Sequence, residues 1–251
     1  MDLSLLGIVF IVGIVAGFLG GFTSGAGNLI SIPFLIFLGL PPQVAIATDR
    51  FGSLGYVAST LHAFSQSKKI VYAHLKILII LSIIGGAIGA SLIIHINKDL
   101  LTHLIGLVII ILLPLIIWKK DLGVKKKKIP SQTVLIVGFF LYFLSALYDG
   151  FLGAAGGILV AYLLVFLFGI SYTKANATEK VPYAFNAIIS LVIFAAFGII
   201  NYMVGIALLL GELLGAYIGA HQAIQKGDKV VRIVMIIVVA ACGIKLLVFP
   251  I

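Results

Sequence analysis

The longest run without a charged residue covers positions 3–48, and further runs follow at 51–67, 77–97 and 100–118. A helix rises about 1.5 Å per residue and needs about 20 residues to cross the hydrocarbon of a bilayer. Runs this long must satisfy their backbone polar groups internally, and helices do so within one segment. Strands of a membrane barrel would alternate apolar and polar residues, and these runs do not. The composition agrees: of 251 residues 62% are hydrophobic and 10% charged, with a mean hydropathy of +1.28. Soluble domains carry about 25% charged residues, so a soluble enzyme, a nucleic-acid-binding domain and a disordered chain are excluded. The net charge of +9 sits in short clusters between apolar runs, not along an amphipathic face, and no nucleic-acid partner is expected. The expected fold class is an all-α polytopic membrane protein with about 8–10 hydrophobic helical segments. Met1-Asp2 lacks the basic start of a cleavable signal, so the first segment is expected to stay. The single cysteine, Cys242, lies in an apolar run and offers no internal disulfide.

The chain divides at its one strongly hydrophilic segment. Lys119, Lys120, Asp121 and Lys125 to Lys128 place six lysines in ten residues. The expected organisation is a first transmembrane repeat (1–118), a basic cytoplasmic linker (119–131) and a second transmembrane repeat (132–251). Shifted by 130, the halves align without a gap: 18 of the 89 positions from 20 to 108 are identical. Composition alone would produce roughly 8. Gly20 meets Gly150, Gly27 meets Gly157, Ala47-Thr48 meets Ala177-Thr178, and Ile88-Gly89-Ala90 meets Ile218-Gly219-Ala220. Such duplication is the build of many secondary transporters. With the linker inside, an odd number of crossings per half also places Lys68, Lys69 and Lys76 inside, together with Lys226, Lys229 and Arg232. The charge rule therefore predicts inverted halves with both termini outside. Spans are expected near 4–20, 43–66, 73–95 and 101–118, with a short helix at 28–39 and a loop holding Lys226 to Arg232.

Two glycine-rich segments interrupt the apolar runs at equivalent places, 20–28 and 150–157. Irregular backbone at membrane depth is tolerated where it is buried in protein or lines a cavity. A helix start beyond each break offers free N–H groups and a partial positive charge, an anion site. Thr23, Ser24, Gly25, Gly27 and Asn28 in the first break, and Gly153, Gly156 and Gly157 in the second, are candidate substrate ligands. Small residues can instead serve close helix packing. Asp49-Arg50 and Glu179-Lys180 follow Thr48 and Thr178 at matching positions. Ionisable residues inside a span are costly and usually functional. Arg50 and Lys180 are candidates for neutralising an anion, with Thr48 and Thr178 beside them. Asp49, Glu179, Asp149 and Glu212 are candidates for proton or ion coupling. Adjacent residues sit about 100° apart on a helix, so the acid and base of each pair are expected not to face each other. His62 is expected in the middle of its span as a core histidine. No His/Cys/acid cluster has metal-ligand spacing, and neither a metal nor another cofactor is expected.

At these residues the chain resembles the TauE/SafE family of membrane proteins, often called sulfite exporters. The likeness rests on the break at 20–33 running into Leu29-Ile30-Ser31-Ile32-Pro33 and on Ala45-x-Ala47-Thr48. In the second half it rests on 153–157 and Ala175-x-Ala177-Thr178. The duplicated halves and the basic central linker also match, so the resemblance covers essentially the whole chain. It implies a plasma-membrane transporter of small sulfur-containing anions: sulfite, sulfoacetate or another organosulfonate. The residues themselves indicate a secondary transporter of an anion; with the resemblance, export coupled to an ion gradient is expected, with substrate and bilayer as partners and a homo-oligomer left open. No Gly-x-x-x-x-Gly-Lys-Ser/Thr motif is present to use ATP. A passive anion channel, or an intramembrane enzyme using Asp149, Glu212 and His62, are the alternatives from other classes.

Overall fold

A computed structural model describes residues 3–97, 100–101, 132–154 and 156–248. The predicted linker at 119–131 and nearly all of the predicted span at 101–118 lie outside the described residues.

The described chain is helical, in the order α1 (Leu3–Thr23), α2 (Asn28–Phe37), α3 (Pro42–Gln66), α4 (Leu75–His95), α5 (Gln132–Phe151), α6 (Gly156–Phe168), α7 (Tyr172–Ala196) and α8 (Tyr202–Val248). A long helix, a short helix, a 25-residue helix and a long helix thus occur twice in succession. α3 and α7 start 130 residues apart and end 130 residues apart. α2 and α6 both run out into a left-handed glycine, Gly39 and Gly169. Glycine adopts that conformation without the Cβ penalty and stops the helix. Pro41 and Ser171 then open α3 and α7 at the same offset. Two hydrogen bonds also recur: Thr48 Oγ1 accepts from the Asn201 N–H at 3.0 Å, and Thr178 Oγ1 from the Val71 N–H at 2.9 Å.

Five helices are long and apolar enough to cross a membrane: α1, α4, α5, α7 and the first 25 residues of α8, Tyr202–Lys226. The protein is a multi-pass membrane protein. α3 has the length but is much more polar, because other helices sheathe it. Fifteen of its residues are buried, Asp49 and Arg50 among them. The outer helices instead present Ile11, Ile80, Phe140 and Ile206 outward, as a lipid-facing surface requires.

Two glycine seams close the bundle. On α1, a Cβ at Gly17 would lie 2.5 Å from the Glu212 carbonyl oxygen, and on α8 a Cβ at Gly215 would lie 2.0 Å from that of Ile14. On α4, a Cβ at Gly89 would lie 2.2 Å from the Leu147 carbonyl oxygen of α5. Backbones this close exclude any side chain at the crossing, the small-residue packing of membrane helices.

Three expectations are corrected. α8 is one helix of 47 residues, so the predicted loop around Lys226 to Arg232 is helical. Gln225, Lys226 and Lys229 are good helix formers and no proline intervenes; the charges end the apolar stretch without ending the helix. α1 runs on to Thr23, past the predicted end near 20, because Gly20 and Gly21 pack against Tyr56 and α8 as helix residues. His62 is exposed near the end of α3, beside Gln66 at 3.1 Å, and is not a core residue. The polar turn Ser65-Gln66-Ser67 already brings that end of the helix out of the bundle.

Candidate functional site

The first break is short. Ser24 and Gly25 take left-handed conformations with φ of 71° and 98°, and the Gly25 N–H closes α1 on the Gly20 carbonyl at 3.0 Å. A non-glycine residue pays steric strain there, and Ser24 is held by its side chain. Its hydroxyl donates to Glu179 Oε1 at 2.7 Å and lies 3.3 Å from the Gly157 carbonyl oxygen. The second break pivots on Gly153, with φ of 72°, before α6 starts at Gly156. The two breaks touch: a Cβ on Gly157 would lie 2.4 Å from the Ser24 carbonyl oxygen, and one on Gly25 3.3 Å from Gly157 Cα.

The duplicated charges converge on this junction. Arg50 donates through Nη1 to Asp149 Oδ2 at 3.2 Å and through Nη2 to the Asp149 carbonyl oxygen. The two side chains are 1% and 5% exposed. Gly153 makes room for the guanidinium, since a Cβ there would lie 3.1 Å from Nη2. Asp49 turns the other way and accepts from Asn28 Nδ2 at 2.9 Å and from Ser31 Oγ, both in the first turn of α2. As expected, Arg50 does not pair with its neighbour. Lys180 departs from the expectation: its Nζ donates to Glu179 Oε1 at 2.5 Å, and to the Tyr56 hydroxyl. The flexible four-carbon arm of lysine lets the charge curl back to the adjacent residue. Lys180 Nζ also sits 4.7 Å from the centre of the Tyr56 ring, and Arg50 Cζ 5.6 Å from that of Tyr183. Each base so gains an aromatic face in addition to its acid.

Both short-helix starts are thereby occupied by carboxylates of the protein itself. Asp49 holds the first turn of α2. Asp149 Oδ1 lies against Gly156 at the start of α6, where a Cβ would come within 2.2 Å of it. That oxygen is buried and has no hydrogen-bond partner among the described residues. Next to it opens a narrow cleft with room for about one water molecule, bounded by Asp149, Glu179, Tyr142, Tyr183, Asn186 and Gly157. Among the described charged residues, the two acids line this cleft and the two bases do not.

Other candidates lie apart from the junction. The Thr48 and Thr178 hydroxyls serve the loops before α8 and after α3. Thr23 Oγ1 donates to the Leu19 carbonyl oxygen at 2.6 Å, inside α1. Glu212 is buried on α8, where its backbone meets Gly17 of α1. Gly27 is a packing position, its Cβ direction blocked at 2.3 Å by the Ala16 carbonyl oxygen. Tyr56, Tyr183, Asn186 and Ser31 were not singled out by sequence. Their signal was present: hydroxyls and an amide on the two most polar long helices for Tyr56, Tyr183 and Asn186, and a hydroxyl in the first turn of the short helix α2 for Ser31.

Known proteins resemble this chain along its length. It is 30% identical over 246 residues to "Probable membrane transporter protein YfcA" of Escherichia coli (strain K12), covering 97% of this chain and 90% of the relative. It is 28% identical over 237 residues to a probable membrane transporter protein of Haemophilus influenzae, covering 94% and 92%. It is 24% identical over 253 residues to "Probable membrane transporter protein YjnA" of Bacillus subtilis (strain 168), covering 95% and 98%. No solved structure matches it. A family model described as "Sulfite exporter TauE/SafE" matches residues 9–246, and with both glycine breaks and both buried charge pairs inside that range, the chain belongs to the TauE/SafE family of membrane transporters.

Proposed function

We propose that the chain is a secondary transporter that moves a small sulfur-containing anion, sulfite, sulfoacetate or another organosulfonate, across the plasma membrane, as export coupled to an ion gradient. The observation that carries this reading is the meeting of the two breaks with one buried base from each half, Arg50 and Lys180. An oxyanion leaving water loses strong hydration, and fixed positive groups and N–H donors must replace it. Backbone N–H groups of the two breaks, at 24 and 26–28 and at 153, 154, 156 and 157, are the neutral donors within the same junction. The description of the family supports the sulfur-containing class.

The test is a thermal-shift screen of purified protein against sulfite, sulfate, sulfoacetate and isethionate, followed by flux into vesicles. Stabilisation by sulfite or a sulfonate, with accumulation against an imposed ion gradient, is the expected result. Flux that only ever runs downhill makes the protein a channel, and no shift with any of the four anions overturns the anion reading. The halves are further proposed to be inverted, with the lysine linker cytoplasmic. Cysteines placed at positions 2 and 250 are then labelled from outside the cell; labelling only from the cytoplasm contradicts the arrangement.

A further inference from the structure

We propose that Asp149 is the proton-coupling residue of this transporter: it clasps Arg50 while the site is empty, and on taking up a proton it releases the guanidinium to the substrate anion. The inference rests on the anion reading above and goes beyond it by naming the coupling ion, the group that carries it and the stoichiometry.

Three observations lead to it. The first is charge. The junction holds two bases, Arg50 and Lys180, and three acids, Asp49, Asp149 and Glu179, with Glu212 near by on α8. Both bases are already engaged, so an anion entering as things stand would add to an excess of buried negative charge. Buried charge without a partner is strongly unfavourable, and a proton delivered to one carboxylate removes the excess. The second is position. The cleft beside the breaks is lined by Asp149 and Glu179 and not by the bases, and it has room for about one water molecule, so a proton brought by water meets the carboxylates there. The third singles out Asp149. Asp49 has both oxygens engaged by Asn28 and Ser31, and Glu179 Oε1 holds both Lys180 and Ser24. Among the described residues, Asp149 Oδ1 is the carboxylate oxygen that is fully buried and found without a partner, and it can receive a proton.

The groups that face Asp149 set how easily it does so. From α3 these are Arg50, Asp49 and Tyr56, and from α7 Glu179, Lys180 and Tyr183. Its own helix supplies Tyr142 and Tyr148. α4 contributes the neutral Ser82 across the cleft, and α6 the backbone of Gly156 and Gly157. The proton comes from water on the side where the anion enters and binds Oδ1. The Arg50–Asp149 Oδ2 bond loses its charge, and Arg50 turns to the anion. When the anion departs on the other side, Arg50 reclaims Asp149 and the proton leaves to water there. One proton therefore travels with each anion in the same direction, so a proton gradient drives export only where it is itself directed outward.

The experiment uses the purified full-length chain in weakly buffered detergent, with sulfate, methanesulfonate and isethionate as probes because their own charge is constant between about pH 5 and 8. Binding is followed by thermal shift, and proton uptake by an indicator dye. The wild type is expected to take up about one proton per anion bound, its affinity falling about tenfold per pH unit on the alkaline side. Asp149→Asn is expected to bind the anion with an affinity indifferent to pH and with no uptake, while Asp149→Glu restores both. Binding without proton uptake in the wild type overturns the proposal, and that measurement needs no variant to fold. Uptake lost in Glu179→Gln but kept in Asp149→Asn overturns the assignment to Asp149, and so does binding that requires Na⁺ and ignores pH. No binding of any probe at any pH removes the anion reading itself, and the coupling with it.

Discussion

Arg50 and Lys180 occupy equivalent positions on α3 and α7, yet they reach their acids differently. Arg50 finds Asp149 on another helix 99 residues away, whereas Lys180 finds Glu179 next to it in the chain. The Lys180 pair is assembled as soon as α7 folds, and its cross-half links are the Tyr56 and Ser24 hydroxyls. The Arg50 pair exists only when the halves dock and can open without disturbing either helix. A contact between two elements can serve as a switch; one within a single turn is a fixture. The second break also carries an acid that the first lacks, since Leu19 stands where Asp149 would be in the first half. The site is thus asymmetric at its centre although the helices around it recur at a constant offset.

The largest effect that would break this comparison is expected from Arg50→Gln. It strands Asp149 as a buried charge beside other acids, and removing one partner of a buried pair costs about 3–5 kcal/mol. A large drop in Tm in detergent and loss of anion binding are expected, with Arg50→Lys retaining part of both. The rescue comes next in size. Adding Asp149→Asn to Arg50→Gln should recover most of the lost Tm, because it removes the stranded charge. Adding Asp49→Asn should recover little, since Asp49 leans on Asn28 and Ser31. Equal recovery by the two would mean that Asp149 is not the specific partner.

Lys180→Gln is expected to be milder in stability, at about 2 kcal/mol, because Glu179 keeps the Ser24 hydroxyl and glutamine can still donate to it. A loss as large as that of Arg50→Gln would erase the distinction between fixture and switch. The smallest effects test the offset itself. Thr48→Val and Thr178→Val each remove one hydrogen bond to a loop N–H, worth about 1 kcal/mol. The two should lower Tm by similar amounts and leave anion affinity unchanged; a selective loss of affinity would place one of them in the pathway.

Much of the architecture was legible because it depends on local composition. The span at 43–66 is α3 within a residue, since Pro41-Pro42 opens it and the polar Ser65-Gln66-Ser67 closes it. Each glycine break was found but drawn too wide, because glycine spacing does not distinguish a residue that bends the chain from one that admits a neighbouring backbone. Gly25 and Gly153 bend it; Gly20 and Gly150 are helical and pack. The end of α8 was misplaced because charge marks where a chain leaves lipid, not where helical hydrogen bonding stops.

The solvent, the two breaks and the acid–base steps that follow them are written along the chain, because charge-free length, glycine and adjacency are properties of a segment. Only the tertiary structure decided which acid each base meets and which of them line the cleft. Adjacency on a helix says where a side chain starts, about 100° from its neighbour. Where a long charged side chain ends is set by the opposite charges that other helices bring within reach. For Arg50 that helix is α5, and what it brings is Asp149, whose Oδ2 holds the base while its Oδ1 stays without a partner.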